Sequence, residues 1–268
     1  FTSDKTGGNP AGVWVGARLP SDSVMQEIAA EVGFSETAFV SPRTGFMRTV
    51  RYFSPKAEVS FCGHATIATG VLLGHAEGDG TYLLSTAIGE VPVVVTTKDD
   101  GQKVASLTSV EPKQAPATET LLDNVLASLG WDRSELDTNI PPVRAYAGAW
   151  HLVLAAASFD RLERLDYDFD ALREIMLFND LTTLQLIWRE ASDLFHARNP
   201  FPVGGVVEDP ATGASAAALG GYLRASKLIA VPSTFTIRQG ETMGRPSKIS
   251  VHVPVTGGIV VSGTAVWL

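Results

Sequence analysis

Short runs of β-branched and aromatic residues, each closed by Gly, Pro or Asp, recur along most of the chain. They predict strands at 12–15, 46–53, 82–85, 91–97, 153–156, 184–188, 235–238, 249–253 and 259–267. Two stretches follow the helical period instead. In 21–32, Val24, Met25, Ile28, Ala29 and Val32 share one face, Ser23 and Gln26 have capping-box spacing, and Gly33 is the stop signal. In 118–129, Leu121, Leu122, Val125, Leu126 and Leu129 form the apolar stripe and Gly130 closes it. Both are amphipathic and belong on a surface.

Two further helical stretches have no polar face at all. Residues 65–73 (ATIATGVLL) and 212–223 (TGASAAALGGYL) contain no charge and consist largely of Gly, Ala, Thr, Ser and Leu. A helix that is apolar or small all round is buried all round. Buried helices amid many strands imply sheets curled around them, once in each half of the chain. The Pro-containing stretch 111–118 (EPKQAPAT) reads as the linker between the halves. The pattern therefore predicts a duplicated α+β architecture, each half wrapping strands around one central helix.

Composition narrows the function classes. The 268 residues suit two domains, and 45% apolar content with 25 Gly and 15 Pro describes a folded, turn-rich protein. A net charge of −8 argues against nucleic-acid and anionic-membrane partners. The longest apolar runs fall far short of the ~20 residues that span a bilayer, and no export signal opens the chain, so a cytoplasmic location is expected. The lone Cys62 excludes an internal disulfide and a cysteine-based zinc ribbon. No GxxxxGK[ST] loop, strand-linked GxGxxG or Cys/His run at zinc spacing is present, so no cofactor and no metal are expected.

The candidate chemistry lies just before each buried helix. Phe61-Cys62-Gly63-His64 precedes the first, and Glu208-Asp209-Pro210-Ala211-Thr212-Gly213 precedes the second. Helix N-termini present unpaired N–H groups and partial positive charge, so two of them sharing a cleft would suit a carboxylate. The plainer alternative is that Asp209 or Thr212 caps its helix.

Five motifs then carry a resemblance: GNPAGV at 8–13, GFSETAFV at 33–40, RYFSPKAEVSFCGHAT at 51–66, EDPATGAS at 208–215 and QGETMGRPS at 239–247. In this order and over nearly the whole chain, the sequence resembles the PhzF-like phenazine-biosynthesis family. The resemblance implies two pseudo-symmetric domains of diaminopimelate-epimerase type, each a β-barrel-like wrap around a central helix, with the active site in the cleft between them. The expected domains are 1–112, completed by the carboxyl-terminal strand 256–268, and 118–255. It further implies a homodimer and a cofactor-independent isomerase that moves a proton, and with it a double bond, in a small carboxylic acid.

Residue by residue, the resemblance makes Glu36 the proton-transfer group, with His64 and Asp209 assisting and the amides of Gly63, Gly213 and Ala214 binding the anion. Burial beside Phe34, Ala38 and Phe39 would let the Glu36 carboxyl both give and take a proton near neutral pH. The superfamily's racemases use two cysteines. Cys62 stands where the first would be, but no second exists, so two-cysteine racemisation is excluded and Cys62 reads as a small buried apolar residue. The family commonly has serine after the TG pair, where this chain has Ala214 and only then Ser215. Arg245 could meet a substrate carboxylate or simply lie on a surface hairpin, and His75, His151, His196 and His252 are expected to be structural or superficial. A catalytically silent metabolite-binding protein of the same fold is the alternative.

Overall fold

The computed structural model describes residues 1–45 and 47–268. The chain divides into two compact units, Phe1–Thr108 with Ser262–Leu268, and Ser109–Val261.

The first unit contains β1 (Ala11–Val15), α1 (Asp22–Val32), β2 (Glu36–Val40), β3 (Met47–Phe53), β4 (Glu58–Val59), α2 (Gly63–Glu77), β5 (Gly80–Thr86), β6 (Gly89–Thr97) and β7 (Lys103–Thr108). Its strands are ordered β1-β2-β3-β5-β6-β7, with β4 paired to β3. β1 and β2 run parallel, as do β3 and β5, and the remaining pairs are antiparallel. The helix predicted from its lack of charge is α2. It packs on β7, β6, β1 and β2 with Ala65, Thr66, Ile67, Thr69, Gly70, Val71, Leu73 and Gly74 buried. Small residues are needed because the sheet is close: a Cβ on Gly70 would lie 2.7 Å from Val93 Cγ1 and 2.9 Å from Ala105 Cβ. The carboxyl-terminal residues are tied to this unit, Thr2 and Thr264 exchanging two hydrogen bonds and the Ser106 and Ser262 hydroxyls meeting at 2.8 Å.

The second unit contains β8 (Lys113–Pro116), α3 (Glu119–Leu129), β9 (Val143–Tyr146), β10 (Trp150–Ala155), α4 (Phe159–Glu163), α5 (Phe169–Phe178), β11 (Thr183–Ala191), β12 (Leu194–Arg198), β13 (Pro200–Phe201), β14 (Val206–Glu208), α6 (Gly213–Ala225), β15 (Ser233–Gln239) and β16 (Ser247–Val253). A last strand, β17 (Val260–Gly263), runs across the division between the units. The strand order is β16-β15-β12-β11-β10-β9-β8. Leu152, Leu154, Leu184 and Leu186 point from β10 and β11 into a core shared with α3 and α5. The alternate positions, His151 and Val153 opposite Thr183 and Gln185 in the parallel register, lie on the other face. α6 packs on β9, β16, β10 and β8, with every residue from Ser215 to Leu223 buried.

Several expectations need correction. The stretch 111–118 is not a free linker, because β8 within it pairs antiparallel with β9. Its proline survives because β8 is at the edge of the sheet, where Pro116 need not donate to a further strand. The Ser23/Gln26 capping box does not form: Ser21 is the N-cap of α1, and Gln26 Nε2 instead donates to the Ser54 carbonyl at 2.9 Å. The final strand is shorter than 259–267 and stops at Gly263. The first residue of the expected strand 46–53, Phe46, lies outside the described residues. Among the described residues no helix is long and apolar enough to cross a membrane.

Candidate active site

In the first unit, Glu36 opens β2 directly after the turn that ends α1 at Gly33, whose φ of 69° suits glycine. Cys62 is the N-cap of α2, with Gly63 and His64 in its first turn. This brings residues 36 and 62–64 together: Glu36 Oε2 lies 3.3 Å from His64 Nε2 and 3.5 Å from Cys62 Sγ. Cys62 Sγ is in turn 3.3 Å from His64 Nδ1. The helix end is anchored by Thr66, whose hydroxyl donates to the Cys62 carbonyl at 2.6 Å and meets the Tyr52 hydroxyl at 2.7 Å.

Two residues not anticipated from the sequence complete this cluster. Asn9, from the GNP turn, places its amide nitrogen 3.4 Å from His64 Nδ1, and Ser35 places its hydroxyl 3.3 Å from His64 Nε2 and 3.4 Å from Asn9 Oδ1. With the Asn9 amide donating to Nδ1, the His64 proton sits on Nε2 and points to the Glu36 carboxylate. Burial pushes the His64 pKa down to about 3, with the Phe1 ammonium adding to the effect. The nearby Glu36 carboxylate works in the opposite direction, but the side chain is only 9% exposed and desolvation is the larger influence. His64 is thus a neutral hydrogen-bond donor. The Glu36 side chain is 21% exposed and rests against polar groups, not in the wholly apolar setting expected from Phe34, Ala38 and Phe39.

In the second unit, Thr212 is the N-cap of α6, yet its side chain does not cap the helix. Its hydroxyl donates to Asp209 Oδ2 at 2.5 Å instead. Gln239 secures this loop with its whole amide: Nε2 donates to the Asp209 carbonyl at 2.6 Å and to Thr212 Oγ1 at 3.0 Å, and Oε1 accepts from the Thr212 N–H at 3.1 Å. Gly240 allows the QGETMGRPS turn to press on the loop, since a Cβ there would be 2.8 Å from the Pro210 carbonyl oxygen. The preceding Glu208 forms a bidentate pair with Arg198, and its side chain is 3% exposed.

Capping by Thr212 therefore does not occur. Neither Cys62 nor Thr212 gives α2 or α6 a side-chain cap, whereas α3, α4 and α5 are capped by Thr118, Ser158 and Asp168. Gly63, Gly213 and Ala214 are partly accessible, so each uncapped first turn can offer backbone N–H groups to an anion. Ser215 does not stand in for the missing hydroxyl at 214. It is fully buried, donating to the Thr212 carbonyl and accepting from Asn199 Nδ2 at 2.9 Å. Asn199 also donates to Thr183 Oγ1, which contacts His151 Nδ1 at 2.8 Å.

The other histidines occupy structural or surface positions. His151 is fully buried, His196 lies between Glu190 and Glu241, His252 is exposed beside Thr234, and His75 is exposed. Arg245 is partly buried, and its backbone N–H closes the turn onto Gly240.

Comparison with known proteins fits this arrangement. Trans-2,3-dihydro-3-hydroxyanthranilate isomerase of Pseudomonas aeruginosa is 30% identical over 259 residues, covering 96% of this chain and 89% of its own length. The crystal structure of the Bacillus anthracis phenazine biosynthesis protein of the PhzF family superposes with a TM-score of 0.89 at 24% identity, covering 100% of this chain and 94% of that one. A probable proline racemase from Agrobacterium radiobacter shares the fold more distantly, with a TM-score of 0.62 at 13% identity over 95% of this chain and 86% of that one. Fold and relatives together define an isomerase with the architecture shared by PhzF proteins and proline racemases. More particularly, the chain belongs to the phenazine biosynthesis-like (PhzC-PhzF) family, whose family model matches residues 1–268.

Proposed function

We propose that this isomerase is cofactor-independent and shifts a double bond in a small carboxylic acid by moving one proton. The Glu36 carboxylate removes a proton from carbon and returns it to the carbon at the far end of the shifted double bond, so substrate and product have the same formula. His64, neutral and donating from Nε2, holds the carboxylate in place and helps hold the substrate. Asp209 receives the substrate's amine or hydroxyl. The amides of Gly63, Gly213 and Ala214 bind the substrate carboxylate, with the active site in the cleft between the two units. The relative's substrate, a dihydro-hydroxyanthranilate by its name, belongs to this class of acid.

The observation that carries the reading is the 3.3 Å contact between Glu36 Oε2 and His64 Nε2 beside an uncapped helix N-terminus. It joins a group able to move a proton to a neutral donor and an anion-binding helix end. The test is solvent-proton exchange in deuterated water over a panel of amino and hydroxy acids. General acid–base catalysis is worth ~10²–10⁴ in rate, so Glu36→Gln should lose about that much while still binding the acid. Full exchange by Glu36→Gln would remove Glu36 from the role. A wild-type protein that binds acids and exchanges no proton would be a binding protein.

A further inference from the structure

Beneath the first turn of α6 lies a fully buried asparagine that holds two parts of the proposed site at once. We infer that Asn199 is a positioning residue: it fixes the spacing between the Asp209 carboxylate and the first-turn amides of α6, and so selects acids that carry an amine or hydroxyl beside the carboxylate. The inference rests on the function proposed above for those groups and extends it to a residue that, being enclosed, meets no substrate itself.

Asn199 lies between β12 and β13. Its backbone carbonyl accepts from the Asp209 N–H at 3.0 Å. Its side-chain Nδ2 donates to Ser215 Oγ at 2.9 Å and to Thr183 Oγ1, in β11, at 3.3 Å. One residue thus ties the Asp209 loop, the first turn of α6 and the sheet to one another. Its neighbours prevent drift, since Arg198 holds the Glu208 side chain and Pro200 pairs with Glu208 in the β13–β14 register. With Gln239 Nε2 on the Asp209 carbonyl, both backbone polar groups of Asp209 are fixed.

The chemistry of the link calls for asparagine. Ser215 gives its own hydroxyl proton to the Thr212 carbonyl at 3.0 Å, so toward Asn199 it can only accept. Asparagine meets this with two N–H donors on one nitrogen, and a carboxylate in its place would offer none. Asn199 Oδ1 takes no hydrogen bond from the protein, so the carboxamide acts through its NH2 end. Ser215 stands one residue past Ala214, and Gly213 and Ala214 are the partly accessible positions whose amides the substrate carboxylate would meet. An acid whose amine or hydroxyl reaches Asp209 while its carboxylate sits on α6 is bound at both ends. An acid without that second group is bound at one. Loss of the Asn199 side chain lets α6 shift against Asp209, which weakens the first kind of acid and hardly affects the second.

Titration calorimetry of the full chain with anthranilate and with benzoate, which differ only by the amine beside the carboxylate, reads this directly. The wild type should prefer anthranilate, and Asp209→Ala should abolish the preference. Asn199→Ala and Ser215→Ala should each weaken anthranilate binding by up to about tenfold, the order of one hydrogen bond, and leave benzoate nearly unchanged. The double variant should lose no more than either single one, because both remove the same link. A merely structural Asn199 would weaken both acids alike, and the ratio within one protein does not depend on how much of it is folded. Ser215→Ala removes a single oxygen atom and answers the question should Asn199→Ala fail to fold. A preference lost in Asp209→Ala but kept in Ser215→Ala, or losses that add in the double variant, overturns the positioning role and leaves the proposed function standing. A wild type without the preference, or Asp209→Ala with it, ends the proposed role of Asp209 and the positioning role together. Selective loss in both variants of a chain that exchanges no proton ends the isomerase reading and leaves Asn199 in its role.

Discussion

Gln239 grips Thr212 by both ends of its carboxamide, accepting from the backbone N–H at 3.1 Å and donating to the side-chain hydroxyl at 3.0 Å. The third bond, from Nε2 to the Asp209 carbonyl, makes this buried side chain the holder of the whole loop ahead of α6. Gln239→Leu keeps the approximate volume but removes the acceptor of the buried Thr212 N–H and the donor to the Asp209 carbonyl. Each buried group left without a partner costs ~1–3 kcal/mol. The urea midpoint should fall accordingly, and substrate KM should rise more than in an equally destabilised variant remote from the loop. Unchanged stability together with unchanged KM would deny Gln239 this role.

Next to Asp209, the Arg198–Glu208 pair is largely enclosed, with side chains 14% and 3% exposed. Removing one partner leaves the other charged and enclosed, so Glu208→Gln should destabilise by ~3–5 kcal/mol. Replacing both, as Arg198→Met with Glu208→Leu, should recover much of the loss, because the desolvation of two ions disappears with their attraction. Urea unfolding of the two variants checks both statements, and a double variant no better than the single would contradict the second.

Gly70 tests the close approach of α2 to its sheet. Alanine favours a helix by ~1 kcal/mol over glycine, but overpacking a core costs ~1–3 kcal/mol. Here the obstacles are the branched Val93 and the Cβ of Ala105, neither of which can swing aside as a long side chain would. Gly70→Ala should therefore lower the melting temperature. A rise would mean that the sheet yields at no cost.

Ala214→Ser adds a hydroxyl in the first turn of α6 and touches no group that moves a proton. It should change which acids are accepted, read as ratios of kcat/KM over a panel, while the best substrate keeps its dependence on Glu36. An unchanged panel would place position 214 away from the bound acid.

How far the sequence reveals this structure depends on the kind of signal. The two buried helices could be read because an uncharged stretch of small residues has one stable location, inside a sheet. α5 is not among the expected helices although its signal is present: Asp168 caps it by accepting from the Ala171 N–H at 3.0 Å, and Leu172 and Met176 recur at helical spacing. β2, β7, β9 and β12 are likewise not among the expected strands. β2, for example, is buried from Thr37 to Val40 and so lacks the alternation that marks a half-exposed strand. At the site, motif resemblance indicated Glu36 and His64, but not the help of Asn9 and Ser35, which only the fold brings to the imidazole.

His151 makes the pH dependence of stability testable. It is fully buried and its pKa is pushed down to about 3 by desolvation, with a hydrogen bond to the Thr183 backbone opposing. The unfolded chain binds that proton near ~6.5, so the folded state keeps His151 neutral where the unfolded state has already charged it. The folded value is the lower one, so its full contribution to stability holds above the unfolded pKa. That contribution is lost as pH falls from ~6.5 toward the folded value, at up to ~1.4 kcal/mol per pH unit. His151→Asn retains an acceptor for the Thr183 hydroxyl and removes the titration. It should be less stable than the wild type at pH ~7.5, for lost packing, yet lose less of its remaining stability on acidification to pH ~5. Urea midpoints at the two pH values give the comparison, and parallel losses in wild type and variant would show that His151 is not held neutral in the fold.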